Sequence, residues 1–174
     1  MVGKAKDLHG RDLHGKNFSD ANLRGADLTD ANLTDADLTR ADLTSADLSG
    51  ANLTHARLPD THLAHANLTG ADLTDAILTG ANLTDAFLVR AVAVKADFTR
   101  AELIRADLTG ADLSDAKLTR STLLDANFTD ATLANTNFAH ATVTGAYFDD
   151  YEKLAQDAIL TGVHFEHARF GGAK

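Results

Sequence analysis

The sequence predicts an all-β solenoid whose coils have four short sides, and three observations carry that expectation. Every fifth residue from Leu8 to Phe148 is apolar: these 29 positions hold 22 Leu, five Phe, Val143 and Ala93. The residue two places before each of them is Ala in 23 of the 29 cases, from Ala21 to Ala146. No insertion breaks the register across that span, and a fixed internal period decides the architecture before any other feature.

A five-residue period suits neither regular helix nor flat strand. On an α-helix each repeat advances by about 140° net, so the leucines would spiral around the whole surface. On a continuous strand an odd period would flip the leucine to the opposite face at every repeat. Within one repeat, however, Ala21 and Leu23 are two apart and share a face, with Asn22 pointing away. Both facts are met if each repeat is one extended side followed by a corner. Four near-right-angled corners then close a square coil, with Leu and the small residue pointing inward. Successive coils stack at the inter-strand spacing of roughly 4.8 Å. The Ala column leaves room for Leu to fill the centre, and each buried Leu contributes roughly 1.5–3 kcal/mol. The Asp or Asn before each Leu bonds local backbone groups, as these side chains do in turns. Thr or Ser followed by Asp, Gly or Arg forms the solvated corners; Gly25, Gly50, Gly70, Gly80 and Gly110 stand there.

The stretches Ala-Asp-Leu-Thr-Asp (26–30), Ala-Asn-Leu-Thr-Asp (31–35) and Ala-Asp-Leu-Thr-Gly (106–110) resemble the pentapeptide-repeat family, whose consensus is A(D/N)LXX. The resemblance implies a right-handed, quadrilateral β-helix. The 29 repeats make about seven coils, and the C-terminal segment adds one, giving a rod roughly 35–40 Å long.

The chain has 174 residues and reads as one domain, residues 1–174, with its single Pro at position 59. Cysteine is absent, so no disulfide framework is available. No apolar run of about 18 residues and no signal-peptide core stands at the start, which predicts a cytoplasmic protein without a membrane partner. Six Asn-x-Ser/Thr triplets, at Asn17, Asn32, Asn52, Asn67, Asn82 and Asn127, read as by-products of the repeat. The net charge of −9 is uneven: +2 over 1–19, −8 over 20–85, +1 over 86–120 and −4 over 121–174. An acidic surface argues against direct nucleic-acid binding, which depends on Lys and Arg. It permits the opposite role, competition with DNA for a basic partner.

A solenoid needs caps. Residues 1–20 read as the opening coil, with Lys6, Arg11 and Lys16 in the small inward column snorkelling outward. Residues 21–148 are the regular repeats. Residues 149–157 read as a short helix with Asp149 as N-cap and Glu152 three residues on. Tyr151, Leu154, Ala155 and Ala158 then share one face. Residues 158–174 resume the repeat in a new register through Leu160, Phe165 and Phe170, as a C-terminal cap. Tyr147, Phe148, Tyr151, Leu154, Phe165 and Phe170 gather apolar bulk at this end. Of these, Tyr147, Tyr151, Leu154, Phe165 and Phe170 are the candidate self-association surface of a homodimer.

In the middle, Phe87, Val89, Val92 and Val94 occupy places where the consensus expects outward polar residues, and Ala93 underfills its central position. Ile77, Ile104 and Leu124 add outward apolar groups, with Ile104 and Leu124 stacked 20 apart. Clustered exposed apolar groups mark contact sites, so Phe87, Val89, Val92, Val94, Ile104 and Leu124 are the candidate protein contact. Arg90, Lys95, Arg100 and Arg105 fall at successive corners and ring one coil. Arg100, Lys117 and Arg120 share a face, with Asp97, Asp112 and Asp115 as nearby ion-pair candidates.

Catalysis needs convergent groups in a concave, partly dry site, and a rod filled by Leu and Ala offers none, so no catalytic residue, metal or cofactor is expected. His55, His62 and His65 lie on adjacent sides and read as surface residues, as do His9 and His14. These features predict a non-enzymatic structural or protein-interaction scaffold whose partner the sequence does not identify. The alternative comes from the resemblance: pentapeptide-repeat proteins of the quinolone-resistance type inhibit or protect DNA gyrase and topoisomerase IV by DNA mimicry. The outward carboxylates Asp27, Asp30, Asp35, Asp37, Asp42 and Asp47 would be the mimic here. Against it stand a more regular repeat than that group has, no loop within the repeats, and a less extended C-terminal segment.

Overall fold

The computed structural model describes residues 6–171. The chain is an all-β solenoid. Asp7 bridges Asp27 in parallel, Asp12 bridges Asn32, Asn17 bridges Asp37 and Asn22 bridges Asp42, so one coil takes 20 residues and four sides. The offset of 20 holds to the pair Asn127–Tyr147. Each rung is held by two backbone bonds. The N–H of Leu8 donates to the Asp27 carbonyl (2.7 Å), and the N–H of Asp27 donates to that of Lys6 (2.9 Å).

Every side ends in a tight turn: Ala26 N–H returns to the Leu23 carbonyl at 3.0 Å and Ala31 N–H to Leu28 at 3.0 Å. The third residue of each turn has positive φ, as a type II turn demands. Glycine fills eight of the 28 corners from Gly10 to Gly145. Asp and His, which tolerate the left-handed region, fill many of the others; Arg90 (φ 56°) and Lys95 (φ 59°) adopt it too.

The Asp/Asn column fixes the approach to each corner. The Asp37 carboxylate accepts the Thr39 N–H (3.0 Å) and hydroxyl (2.5 Å), and Asn127 Oδ1 does the same for Thr129 (3.1 and 2.6 Å). This geometry explains the Asn-x-Thr triplets: Asn and Thr two apart are the two halves of one turn. Asn Nδ2 then reaches the preceding coil, as from Asn32 to Asp12 (3.0 Å) and from Asn67 to Asp47 (3.1 Å).

The interior is the expected column. Leu28 through Leu123 and the Ala beside them are almost wholly removed from solvent. Where Ala is replaced, the hydroxyl is satisfied: Thr61 and Thr136 donate to the Leu38 and Leu113 carbonyls (both 2.8 Å), and Ser121 to Leu118 (2.7 Å). Ala93 is buried and shares its coil with buried Phe98 on the next side, so the smallest central residue stands beside a larger one. Lys6, Arg11 and Lys16 are exposed.

The C-terminal coil departs from this frame. Strand β1 (Tyr147–Phe148) pairs in parallel with β2 (Arg169–Phe170), and Asn137 and Thr142 bridge Ile159 and His164. The offset is now 22, because helix α1 (Tyr151–Asp157) replaces one side. Asp150, not Asp149, is the N-cap; its carboxylate accepts the Glu152 and Lys153 N–H groups at 2.7 and 3.2 Å. Asp149 instead accepts the Asp130 N–H (2.6 Å), capping a donor at the coil edge. Of the predicted apolar helix face only Leu154 is buried; Tyr151 and Ala155 are exposed.

Candidate functional site

The six outward apolar candidates divide into two groups. Phe87 (50% exposed) and Val92 (39% exposed) stand on adjacent sides of one coil, in the column that elsewhere holds the turn-forming Asp or Asn. Phe87 replaces such a residue between Asn67 and Asp107, and Val92 between Asp72 and Asp112. Val89 and Val94 are half-buried at the corners that follow them. Ile104 and Leu124 are half-buried and stack one coil apart at the corner that precedes Phe87's side in each coil; Arg105 N–H donates to the Leu124 carbonyl at 2.7 Å.

At the C-terminal end the five self-association candidates fare differently. Tyr151 is 50% exposed; Tyr147, Phe165 and Phe170 are half-buried. Leu154 is 3% exposed, so it plugs the end of the column and offers no surface to a second copy. It is the helix's substitute for the central Leu, sealing the coil above Leu133. Tyr151 meets the rings of Phe165 and Phe170 edge-on, with centroids 6.1 and 5.2 Å away. Inside, Phe128 and Phe148 stack at 4.7 Å, close to the coil rise, and Phe170 follows at 5.8 Å. A cleft of about 30 Å³ opens between α1 and Leu133. That volume holds a water or two and no substrate.

The six acidic candidates are spread around the coil. Asp27 and Asp47 stack on one side; Asp37 and Asp42 lie on two others, and Asp30 and Asp35 at two corners. Four of them are engaged in turns: Asp27, Asp37, Asp42 and Asp47 each accept the N–H two residues on. The Thr29 hydroxyl and N–H hold the Asp27 carboxyl below its usual range, and those of Thr39 do the same at Asp37. At Asp42 burial opposes ionisation, but Thr44 and Arg24 outweigh it and lower the pKa. Arg24 reaches Asp42 at 3.2 Å, and Arg57 reaches Asp37 at 4.0 Å.

The basic ring is where the sequence places it, Arg90, Lys95, Arg100 and Arg105 turning four successive corners. Of the expected carboxylate candidates Asp97 is engaged, by Lys117, while the ring's Arg105 pairs with Asp85. Arg105 grips Asp85 with two bonds of 2.7 and 2.6 Å, and Lys117 meets Asp97 at 3.8 Å. Among the described residues, Asp112 and Asp115 make no ion pair. No cluster of three or more His, Cys, Asp or Glu side chains fit to hold a metal ion occurs among the described residues. No helix there is long and apolar enough to cross a membrane.

A parallel ladder of five-residue sides around a Leu/Ala column defines a class of solenoid scaffolds. The family model for pentapeptide repeats matches residues 7–40, 17–54, 46–85, 76–115 and 111–150. The chain belongs to the pentapeptide-repeat family. It is similar to HetL, a pentapeptide repeat protein involved in heterocyst differentiation regulation in the cyanobacterium Nostoc sp. strain PCC 7120. That match has 31% identity over 95% of this chain and 81% of HetL, with a TM-score of 0.42. A pentapeptide repeat protein of the Arabidopsis thaliana thylakoid lumen is 34% identical over 64% of this chain and 71% of its own, with a TM-score of 0.39. QnrB1, a plasmid-mediated fluoroquinolone resistance protein, is 17% identical over 98% of this chain and 86% of its own, with a TM-score of 0.47. No curated protein matches the chain.

Proposed function

We propose that this protein is a non-enzymatic interaction scaffold: a right-handed rod of seven to eight coils, forming one domain, that presents fixed side-chain ladders to a protein partner in the cytoplasm. The observation that carries this reading is the pair Phe87 and Val92, exposed on adjacent sides of one coil where neighbouring coils hold polar turn residues. A column position that gives up its turn-forming Asx for an exposed aromatic ring forgoes local hydrogen bonds, and binding is the compensation that fits. The rod's rigidity suits such a role, because a pre-ordered surface binds without an ordering cost.

The test is comparative capture from the native host. A Phe87→Ala, Val92→Ala double variant is expected to keep the native urea midpoint while losing a protein that the native chain retains. Equal retention by both, or a large fall in stability, overturns the assignment.

A second reading, DNA mimicry toward DNA gyrase or topoisomerase IV, draws on the charge of −8 over residues 20–85 and on the stacked Asp27 and Asp47. The dispersal of Asp30, Asp35, Asp37 and Asp42 over the other sides and corners weakens it, since a mimic of duplex phosphates needs its charges on one face. Inhibition or protection of gyrase supercoiling at micromolar protein supports this second reading; no effect removes it.

A further inference from the structure

At one corner of the rod two arginines stand on successive coils. It is the corner after the third side of each coil. Its first half alternates in charge through Asp20, Arg40 and Asp60; Gly80 follows, and then Arg100, Arg120 and His140. These residues share one backbone conformation, with φ between 54° and 68°. Coil-to-coil bonds fix their spacing: Gly80 N–H to Thr99, Arg100 N–H to Thr119 and Arg120 N–H to Ala139, at 3.0, 3.0 and 2.9 Å. Their side chains therefore leave the rod in parallel, about 4.8 Å apart.

Two corner arginines do find a carboxylate on the coil before, one of them lower on this same corner. Arg40 holds Asp20 with bonds of 2.8 and 2.7 Å, and Arg105 holds Asp85 with 2.7 and 2.6 Å. The coil before Arg100 offers Gly80 instead. Among the described residues neither Arg100 nor Arg120 makes an ion pair. Arg100 and Arg120 thus stand one coil apart as exposed like charges, with His140 exposed beyond them.

The surface is concave there. A groove of about 450 Å³ runs along this corner, lined by those three side chains and by Thr79, Thr99 and Thr119. Gly80 forms its floor, and the Asp60 carboxylate lies across Gly80 at the far end, where any Cβ would collide with it. The volume lies within the range of small-molecule sites.

We infer that this groove binds a small, soluble, phosphorylated compound, its phosphoryl oxygens bridging Arg100 and Arg120. Paired planar guanidiniums match the oxygens of a phosphoryl group, and threonine hydroxyls add donors. Asp60 closes the other end against a second anionic group and accepts hydroxyls of the ligand instead. An extended polyanion is disfavoured: along the corner it meets Asp60, and over residues 20–85 a net charge of −8. A small anion feels chiefly the local cations.

The test titrates the full chain with inorganic phosphate and follows backbone amide shifts. Saturable shifts at Thr99, Arg100, Thr119 and Arg120 are expected. An Arg100→Gln, Arg120→Gln variant should bind phosphate at least tenfold more weakly. An Arg90→Gln, Lys95→Gln variant, with the same loss of charge from corners of the ring outside the groove, should stay within twofold of native. Non-saturable shifts, shifts elsewhere on the rod, or equal weakening in both variants would overturn the assignment. So would binding of duplex DNA or phosphatidic acid vesicles that inorganic phosphate does not displace. The exposed arginines leave folding intact, and the native shift map decides alone if a variant misfolds.

Discussion

From Leu23 to Leu123, Ala93 and Phe98 apart, the rod fills its interior with one solution, Leu beside a small residue on each of four sides, whereas the last coil uses Phe148, Phe165, Phe170 and the helix residue Leu154. The regular coils are closed above and below by copies of themselves, so identical small units suffice. Among the described residues no further coil covers the last one, and a helix with one buried Leu plus a group of rings covers more area than another Ala–Leu side could. The offset of 22 in place of 20 is the geometric signature of that change. A solenoid's stability is a sum of near-identical neighbour terms, and its end is the place where the sum must be stopped.

The sharpest way to break the comparison is to remove one central Leu from each region. Leu63→Ala, in a fully buried mid-rod position, should cost about 2–5 kcal/mol, because coils above and below hold the cavity open. Leu154→Ala should cost less, about 2 kcal/mol, since the end can relax into the space. Urea midpoints measure the difference. Hydrogen exchange should show Leu154→Ala accelerating only residues beyond Phe148, while Leu63→Ala loosens the coils on either side. An equal effect in both would mean that the rod and its end unfold as one unit.

A second pair probes packing inside one coil. Ala93→Leu should overfill the cross-section that already holds Phe98 and destabilise by about 1–3 kcal/mol. Combining it with Phe98→Leu restores the regular composition and should recover most of the loss. Independent, additive effects would show that the two side chains do not share their volume.

These contrasts also show where the sequence was readable. The Leu and Ala columns recur so often that side, corner and 20-residue coil followed from the period alone, and the exposed Phe87 and Val92 from their place in it. The helix and the resumed register through Leu160, Phe165 and Phe170 were also legible. The sequence places the helix's N-cap one residue early, because Asp149 and Asp150 are both competent caps and the choice depends on the N–H of Asp130, which Asp149 accepts from 19 residues away. Leu154 reads as a surface residue in the sequence because the helical pattern marks an apolar face and does not say what that face covers. The Arg100–Arg120 groove could have been read from residues 20 apart along one corner, since Gly80 stands where a carboxylate would pair. Arg100 and Arg120 do share a face in the sequence; the concavity beside them does not show there, because it depends on the missing side chain at Gly80.

Smaller effects sharpen the role of the Asx column. Asn127→Ala removes the acceptor for the Thr129 N–H and hydroxyl and should cost about 1–2 kcal/mol by urea titration. Asn127→Asp keeps the acceptor but sets a second carboxylate beside Asp107, and should cost less. If both variants were neutral, the column would be decoration and the corners would hold themselves. Lys95→Gly tests the corner directly. Its φ of 59° is easy for glycine and strained for lysine, so the variant should gain up to about 1 kcal/mol before the entropy of glycine offsets part of it.

The smallest expected effect is with acid. Asp20, Asp27, Asp37, Asp42 and Asp85 all have pKa values lowered from 3.8, through Arg40 at Asp20, Thr29 at Asp27, Thr39 at Asp37, Thr44 and Arg24 against burial at Asp42, and Arg105 at Asp85. A carboxylate whose folded value lies below its unfolded one stabilises the fold above about 3.8 and loses that contribution as pH falls through the folded value. The urea midpoint should therefore be level from pH 7 to about pH 5 and decline below about pH 4. Asp27→Asn with Asp37→Asn should shallow that decline while leaving the neutral-pH midpoint nearly unchanged, because Asn32 and Asn127 accept the same turn bonds in the same column without a charge to protonate. Salt should weaken the contributions of the Arg40 and Arg105 pairs and leave the threonine bonds untouched. A decline that persists in full in the double variant would move the acid sensitivity from these turns to the arginine pairs at Asp20 and Asp85.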